Sequence, residues 1–126
     1  MARQSIQTTS RAASVARAAL IDAIPSPAFS ARIDDAKLAV SELVSNAVKH
    51  GSSYEQDQIR LVIDPDEARL RVEVEQPLPA LDVTPRVPLW NGSHDGGFGL
   101  LIVEAVADAW GVDPGPPGRV WVEFSS

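Results

Sequence analysis

The sequence contains no cysteine, and this absence excludes several kinds of site at once. Without cysteine, the chain of 126 residues can form no disulfide, no thiolate zinc site and no cysteine nucleophile. It also lacks an apolar run of the roughly 18 residues that a membrane-spanning helix needs, and its first residues lack the apolar core of a signal peptide. These absences predict a soluble protein of the reducing cytoplasm.

Basic residues are too few to balance the acidic ones. The chain has 11 lysines and arginines against 17 aspartates and glutamates, so its formal net charge is −6. This charge disfavours direct nucleic-acid binding, because the phosphate backbone is itself negative, and it suits a basic protein partner. The 44% hydrophobic and 22% charged residues are typical of a globular chain, and its length predicts a single domain over residues 1–126.

The first half of the chain is predicted to contain a short strand and two helices. Residues 3–9 favour a strand, and Ser10 is placed to cap an alanine-rich helix that runs to about Ile24. Prolines at 25 and 27 end that helix. A second helix is predicted over 31–49, with Gly51 as its stop. Its buried face is predicted from residues at helical spacing, namely Ile33, Ala36, Val40, Leu43 and Ala47.

The second half begins with a change from helical to twofold periodicity. Apolar residues alternate with polar ones over 59–63 and again over 70–75, with a turn at 65–68, which predicts a hairpin with one face in the core. A third helix is predicted over 99–110, then a turn at 114–118 and a last strand over 120–124. These elements predict an α+β two-layer sandwich, with helices packed on one face of a mixed or antiparallel sheet.

The segment between residues 77 and 97 is rich in proline and glycine. Long stretches without regular structure are uncommon inside compact domains and are often lids or binding loops. The segment is therefore predicted to be a lid, and an ordinary surface loop is the alternative.

Two polar side chains on the second predicted helix are the first candidate site. Glu42 and Asn46 are four residues apart, so they project from one ridge, away from the predicted buried face. An amide oxygen can ligate Mg²⁺, a hard ion that prefers oxygen, and a carboxylate can orient or deprotonate a nucleophile. Any solvated polar helix face can carry such a pair, so the pair alone is weak evidence.

A glycine cluster at 96–99 opens the third predicted helix and is the second candidate site. Glycine lets a backbone approach phosphate closely, and free N–H groups at a helix start attract anions. A simple hinge would use the same residues. The two candidate sites together, in this order and spacing, are much more specific than either alone.

Together these motifs resemble the GHKL superfamily of ATPases and kinases, and most closely the RsbW/SpoIIAB-type anti-sigma factor serine kinases common in actinobacteria. Residues 42–51, ELVSNAVKHG, resemble the N-box of that family, and residues 96–100, GGFGL, resemble its G2 box. Residues 105–112 and 118–124 are similar to its C-terminal helix and strand. The likeness runs from about residue 10 to the end, and implies a Bergerat-type ATP-binding fold.

The resemblance implies a role for each matching residue. Glu42 would be the general base, and Asn46 would ligate the Mg²⁺ that bridges the phosphates of ATP. Lys49 and His50 would lie near the phosphates or the ribose. Gly97, Gly99 and Leu100 belong to the motif whose glycines would let the lid wrap the triphosphate. The partners implied are a sigma factor and a STAS-type anti-anti-sigma protein, and a homodimer is expected.

One motif departs from the family. The G1 box of the family is Asp-x-Gly-x-Gly directly after a strand, and its aspartate accepts a hydrogen bond from the adenine amino group. Here Gln76 stands in the place of the aspartate, while Leu78 and Ala80 replace the glycines. A neutral acceptor is weaker than a carboxylate, and prolines at 77 and 79 stiffen the loop. Adenine binding is therefore expected to be weaker, unless Asp82 supplies the acceptor.

Three functions are consistent with these residues. The first is an ATP-dependent serine kinase and anti-sigma factor, which Glu42 and Asn46 favour. The second is a pseudokinase that keeps the fold and the partner surface but binds ATP poorly, which Gln76 favours. The third is a catalytic domain detached from a histidine kinase, although the sequence shows no helical dimerisation segment with a phospho-acceptor histidine; His50 and His94 are its only histidines.

Overall fold

The computed structural model describes residues 1–24, 27–50, 58–76, 97–113 and 118–126, without the side chains of residues 49–50 and 97–100. The predictions for Gly51, for most of the lid segment, for Asp82 and for residues 114–117 lie outside this part of the chain. The elements, in chain order, are β1 (Ala2–Gln7), α1 (Ala12–Ala23), a short 3-10 turn (Ser30–Arg32), α2 (Ile33–His50), β2 (Gln58–Pro65), β3 (Arg69–Gln76), α3 (Gly97–Val106), β4 (Ala109–Asp113) and β5 (Gly118–Ser125).

The strands form one sheet in the order β1-β2-β3-β5-β4. Each of the four neighbouring pairs is antiparallel, so of the two arrangements left open by the sequence, the described strands adopt the antiparallel one. The predicted α+β sandwich is confirmed. α2 contacts both α1 and α3, which makes it the central helix of the second layer.

The core lies between this helix layer and one face of the sheet. In β3, Leu70, Val72 and Val74 are buried, while the arginines and glutamates between them stay partly exposed, as twofold alternation requires. Four of the five positions predicted for the buried face of α2 are buried: Ala36, Val40, Leu43 and Ala47. The fifth, Ile33, is half-buried at the start of the helix.

The hairpin between β2 and β3 turns where the sequence predicts. The Asp66 carboxylate accepts the backbone N–H groups of Ala68 (2.9 Å) and Arg69 (2.7 Å). These two bonds, with Ala68 the stronger contributor, hold the pKa of Asp66 below its ordinary value. The aspartate side chain thus supplies the turn with a local acceptor.

The start of α1 differs from the prediction. The helix begins at Ala12 with Arg11 as its N-cap residue, and no side chain caps it, so the prediction that Ser10 is the cap is wrong. Thr9, one residue before Ser10, accepts hydrogen bonds from the start of the helix instead. Its hydroxyl accepts the N–H of Arg11 (3.2 Å) and its carbonyl accepts the N–H of Ala12 (3.1 Å).

The third predicted helix ends four residues earlier than expected, because its last part joins the sheet. The last helical bond runs from the N–H of Ala107 to the carbonyl of Val103 (2.9 Å), and the N–H of Asp108 already donates to Glu123 on β5 (3.0 Å). Residues 109–113 then form β4, with Trp110 opposite Val122. Pairing with β5 therefore overrides a helical spacing that local sequence alone would favour.

Asp108 fixes this change of direction. Its carboxylate accepts the backbone N–H of Ser125 (2.6 Å) and the guanidinium of Arg32 (2.9 Å). These bonds, with that from Ser125 the larger cause, hold the pKa of Asp108 below its ordinary value despite some desolvation. The ends of α3 and β5 are thereby joined to the start of α2.

The variant Asp108→Asn is expected to be less stable than the parent at pH 7 and to differ less from it in acid. A carboxylate whose pKa is lower in the folded chain contributes stability above its unfolded pKa and loses it as pH falls through its folded pKa. The gap in melting temperature between the two proteins should therefore shrink from pH 5 to about pH 2. A gap that stays constant over this range would contradict the role of the carboxylate charge.

None of the helices in the described residues is both long enough and apolar enough to cross a membrane.

Candidate functional site

The direction of the helices decides which parts of the sequence come together. Arg32 directly precedes α2, and its Nη2 donates to the carbonyl of Val106 at the end of α3 (2.8 Å). The two helices also pack against each other. Because the start of α2 lies beside the end of α3, they are antiparallel. The last turns of α2 therefore lie toward the glycine-containing start of α3.

The length of α3 locates that start along α2. Its 10 residues span about 15 Å at the rise of an α-helix, which is the length of the first ten residues of α2. The first turn of α3 thus lies close to the turn of α2 that holds Glu42 and Asn46. Gly97, Gly99 and Leu100 all belong to this first turn, so the helix starts two residues before the predicted position.

Glu42 and Asn46 lie on the side of α2 that faces α3. The side that faces α1 is marked by Ser41, which lies about 100° around the helix from Glu42 and about 140° from Asn46. Its hydroxyl accepts a hydrogen bond from Arg17 of α1 (2.9 Å). Successive helix residues are about 100° apart, so Glu42 and Asn46 share a ridge with Asp35, which is ion-paired with Arg32 on the α3 side (3.3 Å). Both side chains are half-buried and partly open to solvent.

Gln76 lies at the same end of the fold. It is the last residue of β3, paired with Gly118 of β5. Its side chain lies on the same face of the strand as those of Val72 and Val74, which is the face toward the helix layer. Arg69, at the other end of β3, pairs with Ser125 beside Arg32. Gln76 therefore lies toward the C-terminal end of α2. It is also the one polar residue that is buried among the described residues, with 8% exposure.

These positions bring three predicted features together: a carboxylate and an amide on α2, the first turn of α3, and a buried amide at the end of β3. The first four N–H groups of a helix have no partner within the helix, and they favour anions such as phosphate. Lys49 and His50 lie in the last turn of α2, with side chains outside the described part. The arrangement suits a ligand with a phosphate group at one end and a flat polar group at the other.

A comparison of the sequence with models of known protein families matches nearly the whole chain. A family model described as "Histidine kinase-like ATPase domain" matches residues 3–123. The chain belongs to this family. The match covers all the elements that carry the candidate site, and the antiparallel sheet with its helix layer fits the family. Comparison with curated proteins gives no significant match.

Membership in the histidine kinase-like ATPase family implies ATP binding, usually with Mg²⁺, and the residues fit this cofactor in part. Asn46 offers an amide oxygen on an accessible ridge beside the start of α3. At the position where the sequence resemblance implies an adenine contact, Gln76 offers a neutral amide from a buried position. Across the described residues, no three histidine or acidic side chains group closely enough to hold a metal; the predicted ligand Asn46 is an amide and is not tested by this finding.

Arg32 is a positioning residue that the sequence did not single out. Its guanidinium reaches Asp35 on α2, the carbonyl of Val106 on α3 and Asp108 before β4, and it lies 5.3 Å from the centre of the Phe124 ring on β5. These contacts fix α3, and with it the glycine turn, against α2. No local motif could have identified this role of Arg32, because all of these partners except Asp35 lie far from it in the sequence.

Proposed function

We propose that this ATPase-family domain is a cytoplasmic ATP-binding regulator of the anti-sigma factor, serine-kinase type. The observation that carries this proposal is the placement of Glu42 and Asn46 on the ridge of α2 that faces the first turn of α3. In this proposal Glu42 would act as a general base and Asn46 as a Mg²⁺ ligand, beside N–H groups suited to phosphate. The proposed partners, a sigma factor and a STAS-type anti-anti-sigma protein, and the homodimer are supported by the sequence resemblance.

Each residue has a defined task in this proposal. When bound, ATP supplies the phosphoryl group. Asn46 would hold Mg²⁺ through its amide oxygen, and the N–H groups at the start of α3 would bind the phosphates. Glu42 would accept the proton of the serine hydroxyl on the anti-anti-sigma protein. Gln76 would accept the hydrogen bond of the adenine amino group.

A second candidate function is a pseudokinase that uses the same fold to bind partners. The specific observation in its favour is Gln76, a buried neutral amide in the position where the family motif has an aspartate. The weaker acceptor lowers the affinity for adenine, although the phosphate end is unchanged. The two functions differ in whether ATP is bound and its phosphoryl group transferred.

Titration with ATP in the presence and absence of Mg²⁺, followed by incubation with a STAS-type protein from the same source, tests the proposal. The serine-kinase function predicts Mg²⁺-dependent binding and phosphoserine on the STAS-type protein, detected by mass spectrometry. ATP binding without phosphoserine would leave an ATP-responsive binding protein. No ATP binding at all would overturn the kinase function and favour the pseudokinase.

The variant Gln76→Asp is expected to bind ATP about fivefold more tightly than the parent. A hydrogen bond to a charged acceptor is stronger than one to a neutral acceptor by about 1 kcal/mol. Gln76→Asn is the matched control, because it has the size of aspartate without the charge, and it should show no gain. If neither variant changes the affinity measured by calorimetry, the replaced glycines of the motif, rather than the missing charge, limit adenine binding.

A further inference from the structure

Gln76 combines burial with a polar side chain at the end of β3. Only 8% of it is exposed, and its side chain lies on the face of β3 that carries Leu70, Val72 and Val74. In the neighbouring strand β5 it is paired with Gly118, which has no side chain. The residue opposite Gln76 therefore leaves the space beside the amide unfilled.

The amide of Gln76 differs from a carboxylate in the kinds of hydrogen bond that it makes. An ionised carboxylate only accepts hydrogen bonds, whereas an amide has a carbonyl oxygen that accepts and an NH₂ group that donates. These two groups exchange places when the amide turns over about its last bond. Gln76 therefore has both an acceptor and a donor to offer at one position.

The two classes of purine present opposite hydrogen-bonding patterns on the edge that carries position 6. Adenine has an amino group there, which donates. Guanine and hypoxanthine have a carbonyl there, which accepts, and the N1–H group beside it donates. A carboxylate suits adenine and rejects the 6-carbonyl, because two acceptors would face each other. An amide suits both patterns, with one orientation for each.

Burial makes the choice of base depend strongly on these hydrogen bonds. A buried polar group that loses its partner costs more free energy than an exposed one, because water cannot replace the lost bond. A buried carboxylate in the place of Gln76 would therefore discriminate sharply against a 6-oxopurine. The neutral amide that the chain has instead removes this source of discrimination.

Gln76 also has an interaction within the chain, and this interaction is compatible with binding a base. An amide has two N–H donors and an oxygen with two lone pairs. One contact to the protein thus leaves both a donor and an acceptor for a ligand. The preference between adenine and a 6-oxopurine then depends on how firmly that contact holds the amide in one orientation.

From these features we infer that Gln76 sets the base specificity of the nucleotide site, which takes 6-oxopurine nucleoside triphosphates as well as ATP. In one orientation the amide accepts from the amino group of adenine, and in the other it donates to the 6-carbonyl of hypoxanthine or guanine. The inference rests on the proposed ATP-binding function, since Asn46 and the first turn of α3 would bind the same phosphates in every case. It adds the class of base that the site takes.

The probes are three nucleoside triphosphates that differ only at this edge of the base: ATP, ITP and purine riboside triphosphate. ITP has the 6-carbonyl without the 2-amino group of guanine, and purine riboside triphosphate has only hydrogen at position 6. Calorimetric titration with Mg²⁺ should give dissociation constants for ATP and ITP within about threefold of each other. Purine riboside triphosphate should bind at least about threefold more weakly than either, because it lacks one hydrogen bond to the amide.

Two variants with side chains of equal size assign the effect to Gln76. Gln76→Asp provides acceptors only, so it should bind ATP at least about tenfold more tightly than ITP. Gln76→Asn is the matched control, because it keeps an amide, and its two dissociation constants should stay within about threefold of each other. If Gln76→Asp does not fold, as judged by circular dichroism, the three nucleotides still decide the question with the parent protein.

Two results would overturn the inference and leave the proposed function unaffected. The first is a parent protein that binds ATP but binds ITP more than about threefold less tightly, since the amide would then be held with its oxygen toward the base. The second is the same ratio of the two dissociation constants in Gln76→Asp as in the parent, because the side chain would then not contact the base. Absence of binding by all three triphosphates would overturn the ATP-binding function itself, and the inference with it.

Discussion

Replacing Asn46 by alanine is expected to abolish Mg²⁺-dependent ATP binding and to leave the fold intact. The affinity should fall at least about a hundredfold, which corresponds to about 2.7 kcal/mol. The amide oxygen of Asn46 is the Mg²⁺ ligand implied for α2, and the side chain lies on the ridge that faces the start of α3. Alanine provides no oxygen, so the metal loses this contact.

The fold should tolerate this change for two reasons. Asn46 is half-buried rather than part of the core, and alanine is the best helix former. The free energy of unfolding should therefore change by no more than about 0.5 kcal/mol. Calorimetric titration with ATP and Mg²⁺ measures the first effect, and urea unfolding measures the second.

Ser45→Ala is the matched control for this experiment. Ser45 is also half-buried, but it lies one position earlier, beside Thr9 and Ser10 on the α1 side of the helix. It should bind ATP like the parent. Unchanged affinity in Asn46→Ala would contradict the metal-ligand role, and an equal loss in Ser45→Ala would point to a general disturbance of α2.

The variant Phe124→Ala is expected to have the largest effect on stability, a loss of about 3–5 kcal/mol. Phe124 is fully buried in β5, where it lies opposite Leu70 of β3. Truncation leaves a cavity that the close-packed core can only partly close. Because a domain is stabilised by only about 5–15 kcal/mol in total, much of the protein should be unfolded at modest urea concentrations.

Trp121→Ala provides the comparison from the same strand. Its ring is larger but lies on the face of the sheet that points away from the helix layer. There it stacks under the guanidinium of Arg71 at 4.3 Å and over Gly111, where a Cβ would clash with the indole. Trp121 is only half-buried, so its loss should cost about 1–2 kcal/mol. Urea unfolding that finds Trp121→Ala the more damaging of the two would mean that this face is covered in solution.

Much of the candidate site could be predicted because its residues are close in sequence. Glu42 and Asn46 lie one turn apart, so helical periodicity alone places them on one ridge, away from Val40. The glycines at 97 and 99 likewise open a helix as the sequence indicates, although the helix begins at Gly97. The roles of these residues toward ATP remain predictions.

Other features could not be predicted because they depend on distant partners. Ser10 has the right residue type for a cap, but Thr9 satisfies the start of α1. Residues 109 and 110 continue the helical spacing of α3, yet they become the start of β4 because β5 offers unpaired backbone groups. The hydrogen bonds of a new sheet edge outweigh a weak local preference.

By itself, the sequence determined the two kinds of periodicity, the α+β class, the family motifs and the neutral residue Gln76 where the family motif has an aspartate. These properties depend on residues within one or two turns of each other, or on alternation along a single strand. The tertiary structure alone decided that α2 and α3 run in opposite directions and that Arg32 joins their ends. It also decided that β1 is an edge of the sheet formed by the described strands, beside a hollow, because edges and hollows arise only when separate elements pack together.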